Sequence, residues 1–265
     1  MPSSTSRAAE PSRFLPGDRP RRIAHRGLAL DGAENTLRAF ADALAAGATM
    51  LETDTRATRD GLALAVHDET LDRVAGDPRR IDTLSGAEAG AVRLAGDEPL
   101  AMLEDVLGSF PDVPVNIDVK SADAILPAVT AIARTRSAER VCVTSFDGLI
   151  ARSAAHAVRT ATGTLPVRSP SRGAMAGFLA VRALELPDRA LRRVLRPYGA
   201  LQVPRTYRGL PVVTPASIAA AHRVGCEVHV WTVDDPVTMQ DLLVTGADGI
   251  ITNRVDLLGE LLDAD

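Results

Sequence analysis

Four short runs near the start of the chain carry residues able to do chemistry: His25-Arg26-Gly27, Glu34-Asn35-Thr36, Glu52-Thr53-Asp54 and His67-Asp68. Glu52 and Asp54 lie two apart in a β-like run, so both carboxylates project from one face of one strand. One histidine ends the apolar run before them, and another ends the run after them. Asp118 and Lys120 repeat the two-residue spacing further along. Acids that can hold a hard cation, flanked by two imidazoles and an arginine, make a site for metal-assisted cleavage of a phosphate ester.

The charges agree with that chemistry. Three carboxylates (Glu52, Asp54, Asp118) against one divalent cation leave one negative charge, and Arg26 with Lys120 turn this into one positive charge when both histidines are neutral. A phosphodiester monoanion would neutralise the site. Arginine offers a planar fork for two phosphate oxygens, and lysine a movable point charge. An all-oxygen carboxylate set selects Mg²⁺ or Ca²⁺ over zinc.

These residues need a scaffold that gathers them, and the rest of the chain reads as one. From Arg21 onward short β-rich runs alternate with helical runs. Strands are predicted over 22–27, 50–55, 114–119, 141–145, 159–164, 200–203, 228–233 and 249–252. Between them Leu37, Phe40, Ala41 and Leu44 repeat at helical spacing up to Gly47, and Ser85 to Glu88 reads as a capping box. Thr214-Pro215 and Asp235-Pro236 open two further helices, closed by Gly225 and Gly246. Eight strands separated by helices over about 250 residues is the arithmetic of a closed (β/α)₈ TIM barrel, whose active centre lies at the carboxyl ends of the strands. His25, Arg26, Glu52, Asp54, Asp118, Lys120 and Trp231 all fall at such ends. The run Leu62–Val66 follows Asp54 too closely for a parallel crossover, so it is expected to pair back on strand two as a hairpin and return His67 to the site.

Bulk properties exclude several classes. A hydrophobic content of 46% supports a sizeable core, and a net charge of -4 gives no basic field of the kind nucleic-acid binders carry. Cys142 and Cys226 fit no metal knuckle or disulfide framework, which reads as two reduced core residues of a cytoplasmic protein. No stretch has the apolar length of a membrane span. Residues 1–20, rich in Ser, Arg, Pro and Ala, are expected to form a disordered tail and residues 21–265 one barrel domain.

In order along the chain, His25-Arg26-Gly27, Glu34-Asn35-Thr36, Glu52-x-Asp54, Asp60-Gly61, His67-Asp68 with Leu71 and Arg73, Asp118-Val119-Lys120, Ser145-Phe146, Trp231-Thr232-Val233 and Asp248-Gly249-Ile250-Ile251-Thr252 resemble the glycerophosphodiester phosphodiesterase family. The resemblance runs from about residue 21 to 260. It implies a (β/α)₈ barrel that hydrolyses a small-molecule glycerophosphodiester to an alcohol and sn-glycerol 3-phosphate. It also implies Glu52, Asp54 and Asp118 as metal ligands, His25 as base and His67 as acid, and attack by the glycerol 2-hydroxyl through a cyclic phosphate. Two departures stand out. Ala33 replaces the usual proline before Glu34, and Asp118 replaces the usual glutamate, a shorter side chain that the related sphingomyelinase-D-like enzymes resemble this chain in using.

Around this centre the readings divide. Trp231 is either a wall for the glycerol carbons or packing at the barrel mouth, and Tyr207 with Arg205 and Arg208 is either a contact to the leaving alcohol or a solvated loop. His229 reads as structural, and His156 and His222 as surface or packing residues. Segment 165–198, with Met175, Phe178, Leu179, Val181 and Leu184 in an apolar helix and seven arginines, reads as a buried helix with a solvated basic face ahead of a lid that touches membrane. The leading function is a glycerophosphodiesterase on deacylated headgroups. The alternative is a phospholipase D-type activity on lysophospholipid or sphingomyelin-like lipids. A non-catalytic binder is disfavoured, since it has no need of two proton-transfer groups. The alcohol, the choice of cation and the oligomeric state stay open.

Overall fold

The computed structural model describes residues 14–30, 33–207 and 209–263. Strand β1 (Arg21–His25) leads into helix α1 (Leu37–Ala45), β2 (Met50–Ala57) and the short β3 (Ala63–Ala65). Helix α2 (Leu103–Ser109), β4 (Val115–Val119), α3 (Ile125–Arg134), β5 (Val141–Thr144) and α4 (Gly148–Thr162) follow. Then come β6 (Val167–Arg168), α5 (Arg172–Ala183), α6 (Asp188–Leu195), β7 (Ala200–Pro204), α7 (Pro215–His222), β8 (Glu227–Trp231), α8 (Pro236–Thr245), β9 (Gly249–Thr252) and α9 (Val255–Asp263).

Among the described residues, eight parallel staves run β6-β5-β4-β2-β1-β9-β8-β7 around a (β/α)₈ barrel. The ladder is nearly closed. Between β6 and β7 the strands do not pair, and the seam is held by the Gly199 amide donating to the Arg168 carbonyl (3.0 Å) and the Gln202 amide donating to Ser169 Oγ (3.3 Å). Strand β3 pairs antiparallel with the end of β2, Thr55 opposite Ala65, as the short link after Asp54 requires.

Alternation along each strand sorts residues between two faces. Outward residues such as Leu51, Ile117 and Val143 pack under Phe40, Leu107 and Ile132 on one side of the barrel. Leu201, Val228 and Ile250 pack under Phe178, Ile218 and Met239 on the other. Inward residues form layers: Ile23, Met50, Cys142, Ala200 and Ile251 fill the interior, and polar groups occupy both ends. Helix caps follow the sequence. Thr36 Oγ1 accepts from the Ala39 amide to start α1, and Ser85–Glu88 and Thr214–Ser217 form capping boxes.

Three expectations are corrected. Residues 159–164 are not a strand: α4 runs through Thr162 because Ala151, Ala154, Ala155 and Val158 make a buried helical face. The Thr160 and Thr162 hydroxyls donate to the carbonyls four residues back, and Gly163, at φ 81°, ends the helix. The fifth stave is the two-residue β6 instead. The stretch assigned to a disordered tail is ordered from Phe14 on. Phe14 and Leu15 are buried under the barrel, and Arg19 pairs with Asp248 at 2.8 Å. Residues 1–13 lie outside the described residues. In segment 165–198, Phe178 and Val181 are buried as expected, whereas Leu184 is 68% exposed. No helix among the described residues is long and apolar enough to cross a membrane.

Candidate active site

The end of β1 is shaped by its backbone. Arg26 and Gly27 both take left-handed conformations (φ 59° and 86°), and a Cβ on Gly27 would stand 2.6 Å from the Ala39 carbonyl carbon, so only glycine lets α1 pack this closely. The turn carries the Arg26 guanidinium over β2, where Nε lies 2.8 Å from Asp54 Oδ2 at ion-pair distance but off the hydrogen-bond line. Glu34 holds the other end of that guanidinium, accepting from Arg26 Nη1 (3.1 Å), and is itself gripped by Arg73 (2.7 and 3.0 Å). Burial works against its ionisation, but Arg73 and Arg26 keep the carboxyl below its ordinary range. Asn35, also left-handed, is buried and accepts from Thr53 Oγ1 at 2.7 Å. The Glu-Asn-Thr run therefore aims an arginine, ties the loop to β2 and caps α1.

Parallel register sets the acids side by side. Glu52 is opposite His25, and Asp54 is opposite Asp118. Lys120 Nζ bridges the last two, 2.6 Å from Asp54 Oδ1 and 2.5 Å from Asp118 Oδ2. Burial opposes the charge on each. Lys120 and Arg26 still hold Asp54 below its usual value, and Asp118 and Asp54 raise Lys120 above its own. Asp118 is raised, by burial with the charge of Asp54 opposing Lys120. Glu52 stands well above the carboxylate range, because it is buried beside the negative charge of Asp54.

The sequence expectation is that three acidic tips clasp one ion. The three carboxyls face one pocket, but among the described residues no three His, Cys, Asp or Glu side chains are spaced as a ready-made metal site, and the cation between Asp54 and Asp118 is the Lys120 ammonium. The donor set nonetheless fits a hard divalent ion. It is all oxygen, and Glu52 Oε2 is buried with no hydrogen-bond donor.

The two imidazoles are anchored differently. His25 Nδ1 meets Asn253 Oδ1 at 2.7 Å, and Asn253 is fixed by Asp234, which accepts from its backbone and side-chain amides at 2.8 Å each. A carbonyl oxygen can only accept, so Nδ1 carries the proton and Nε2, 3.9 Å from Glu52 Oε2, presents its lone pair. Burial and the charge of Arg26 lower the His25 pKa, which favours the neutral ring. His67 instead rests its Nδ1 on the Asp68 carboxylate at 2.6 Å, and Arg73 Nε donates to the other Asp68 oxygen at 2.6 Å. The Asp68 carboxylate, held in turn by Arg73, fixes the orientation of this ring.

All eight residues singled out from sequence (His25, Arg26, Glu52, Asp54, His67, Asp118, Lys120 and Trp231) line one pocket of about 260 Å³ at the carboxyl ends of the staves. Several companions were not legible. Asn116, two before Asp118 on the same face, accepts from Gln202 Nε2 at 3.2 Å across the mouth, and Thr144 also lines it. Asn253 and Asp234 gave no signal beyond their place after strand ends. Phe146 stands edge-on to Trp231, with centroids 5.8 Å apart. His229 is buried at the opposite end of the barrel, the structural place expected of it.

A (β/α)₈ barrel with acids, imidazoles and cations converging at its carboxyl end defines a phosphoester hydrolase of the TIM-barrel class. The glycerophosphoryl diester phosphodiesterase family model matches residues 25–257, and the chain belongs to that family, whose members are hydrolases. It is 38% identical over 243 residues to the probable glycerophosphodiester phosphodiesterase 2 of Mycobacterium tuberculosis, covering 91% of this chain and 90% of the relative. A human lysophospholipase D is 34% identical over 117 residues, covering 39% of this chain and 37% of that protein. Among solved structures, a glycerophosphodiester phosphodiesterase from Thermotoga maritima superposes with a TM-score of 0.68 at 25% identity, covering 92% of this chain and all of that one. An Oleispira antarctica phosphodiesterase in complex with sn-glycerol-3-phosphate shares the fold, with a TM-score of 0.71 at 17% identity over 92% of this chain and 97% of its own.

Proposed function

We propose that the chain hydrolyses glycerophosphodiesters to an alcohol and sn-glycerol 3-phosphate, with His25 as base, His67 as acid and a divalent cation as cofactor. The observation that carries this reading is the unequal anchoring of two imidazoles in one pocket, one on a neutral amide and one on a carboxylate. Arg26 and Lys120 bind the phosphate oxygens and offset charge as it develops. His25 Nε2 takes the proton of the glycerol 2-hydroxyl, whose oxygen attacks phosphorus. The bond to the alcohol oxygen breaks as His67 returns a proton to it, leaving a cyclic phosphate. In the second half a water gives its proton to His67 and attacks phosphorus, while His25 hands its proton back to the 2-oxygen. Trp231 walls the glycerol carbons. Glu52, Asp54 and Asp118 would hold the cation, Mg²⁺ or Ca²⁺, which supplies Lewis-acid polarisation of a phosphoryl oxygen when bound. Cys142 and Cys226, both buried and free, favour a reducing, cytoplasmic compartment, and a net charge of -4 offers nucleic acid no basic field.

Coupled detection of glycerol 3-phosphate from a panel of glycerophosphodiesters tests the reading. Release should stop in EDTA and return with Mg²⁺ or Ca²⁺. Full activity in EDTA would remove the metal from the scheme, and no release from any substrate would remove the activity.

A further inference from the structure

The His67 ring is aimed from outside the pocket. Its main chain is held by β2, where the Val66 amide donates to the Asp54 carbonyl (3.0 Å) and Arg56 Nε donates to the His67 carbonyl (2.8 Å). The side chain is 37% exposed, and among the described residues its one hydrogen bond is the 2.6 Å contact with Asp68. Asp68 has one further side-chain partner there, Arg73 Nε at 2.6 Å. Arg73 stands on a single helical turn, Asp72–Ala75, beyond β3. That turn is seated by fully buried Leu71 in a small core with Val66, Ile81 and Leu84, apart from the two clusters that wrap the barrel. The segment carrying His67 is thus packed largely on itself.

One guanidinium ties that segment back to the barrel. Arg73 Nη1 and Nη2 donate to the two oxygens of Glu34 at 3.0 and 2.7 Å, while Nε holds Asp68. Glu34 lies on the loop between β1 and α1 and accepts from Arg26 Nη1 as well. An unbroken chain therefore runs from Arg26 through Glu34, Arg73 and Asp68 to the His67 ring. Arg73 does not itself line the pocket.

We propose that Arg73 is a positioning residue for proton delivery. Through Asp68 it sets the His67 ring at the departing alcohol oxygen, and through Glu34 it fixes that ring relative to Arg26 and hence to the phosphate. This role rests on the reading of His67 as acid and names what holds the acid in place. Arginine suits it because a planar fork can donate along two edges at once, whereas an ammonium is a point charge that satisfies one carboxylate at a time. A ring left to turn about its own bonds loses the geometry on which proton transfer depends, and a misplacement of about 1 Å can cost about 10²-fold in rate.

The test separates a reaction that needs the acid from one that does not. The quantity measured is kcat/KM, which covers the steps up to departure of the alcohol. One substrate is glycerophosphocholine, whose departing alkoxide needs a proton. The other is the p-nitrophenyl ester of sn-glycerol 3-phosphate, whose phenolate leaves without one. His67→Ala is the benchmark and should lose the first substrate far more than the second. Arg73→Ala should follow it in kind, losing about 10²-fold on glycerophosphocholine and staying within about fivefold on the nitrophenyl ester. Arg73→Lys keeps the charge without the fork and should recover less than about tenfold of that loss. Arg73 is half-exposed, so the fold should survive, and the ratio between two substrates is unaffected by any fall in Tm. Equal losses on both substrates in Arg73→Ala, a loss below about threefold on glycerophosphocholine, or full recovery in Arg73→Lys overturns the positioning role while His67→Ala still discriminates. Equal losses in His67→Ala, or no cleavage of either ester by wild type, overturn the catalytic reading itself, and the role of Arg73 with it.

Discussion

The barrel holds an arginine, a glutamate and a histidine together at each end, and the two clusters behave oppositely. At the floor, Arg21 donates to both oxygens of Glu227 (2.6 and 3.0 Å) and His229 Nε2 meets the same carboxylate at 2.9 Å. Phe14 closes the cluster from below, edge-on to His229 and 4.8 Å under the Arg21 guanidinium. All three are at most 4% exposed. At the mouth, Arg26, Glu52 and His25 are joined by Asp54, Asp118 and Lys120, and Glu52 Oε2 has no donor at all. One carboxylate against one guanidinium balances its charge, with only His229 Nδ1 left without a partner among the described residues, and Phe14 packs over the cluster. Crowding three carboxyls around two cations leaves Glu52 with a buried oxygen that no donor meets, an incomplete arrangement of the kind that binds a ligand.

The contrast can be broken in either direction, and the largest effect belongs at the mouth. His25→Ala and His67→Ala should each lower kcat by about 10²- to 10⁴-fold, the usual reach of a general acid or base, with Tm nearly unchanged by calorimetry. A Tm loss comparable to that of a floor variant would make the mouth structural too. At the floor, Glu227→Ala strands Arg21 in the interior at a cost of about 3–5 kcal/mol. For a chain of this size that lowers Tm by about 6–20 °C, while kcat per folded molecule stays near wild type. A large kcat loss at full stability would show the floor acting on chemistry.

Smaller effects sharpen the difference between the two rings at the mouth. Asn253→Ala frees the His25 tautomer and should cost about ten- to a hundredfold in kcat, a fraction of the general-base contribution. Because Asn253 supports the protonated ring, its loss should also move the acid limb of kcat/KM to lower pH, whereas a purely structural role would leave that limb in place. In wild type the sign follows from burial. The His25 pKa is lowered, so the base stays unprotonated and kcat/KM holds until the pH falls below the ordinary imidazole value of 6.5. An acid limb with its inflection above 6.5 would contradict the assignment of His25 as base.

Much of this centre was legible because its residues sit at strand ends and two apart, a period that places side chains on one face before any fold is known. The return of His67 followed from chain length alone, since seven residues after Asp54 cannot cross back in parallel. The misread stave at 159–164 shows the limit. Thr160 and Thr162 alternate like a strand, yet their hydroxyls bond within a helix whose apolar face is set by residues a turn earlier. Phe14 and Leu15 looked like tail because nothing local reveals a hole in a barrel floor that they fill. Asn253 and Asp234 escaped notice because a ring's hydrogen-bond partner is chosen across strands.

Residue types, order and spacing settled which groups could act and that a parallel barrel carries them, since periodicity and link length are properties of the chain itself. The tertiary structure decided how charge is apportioned. Register placed Asp54 opposite Asp118, Lys120 came to rest between them, one histidine found an amide and the other a carboxylate, and a third was sealed at the floor. Ionisation and tautomer depend on burial and on partners far apart in sequence, and only packing brings those together.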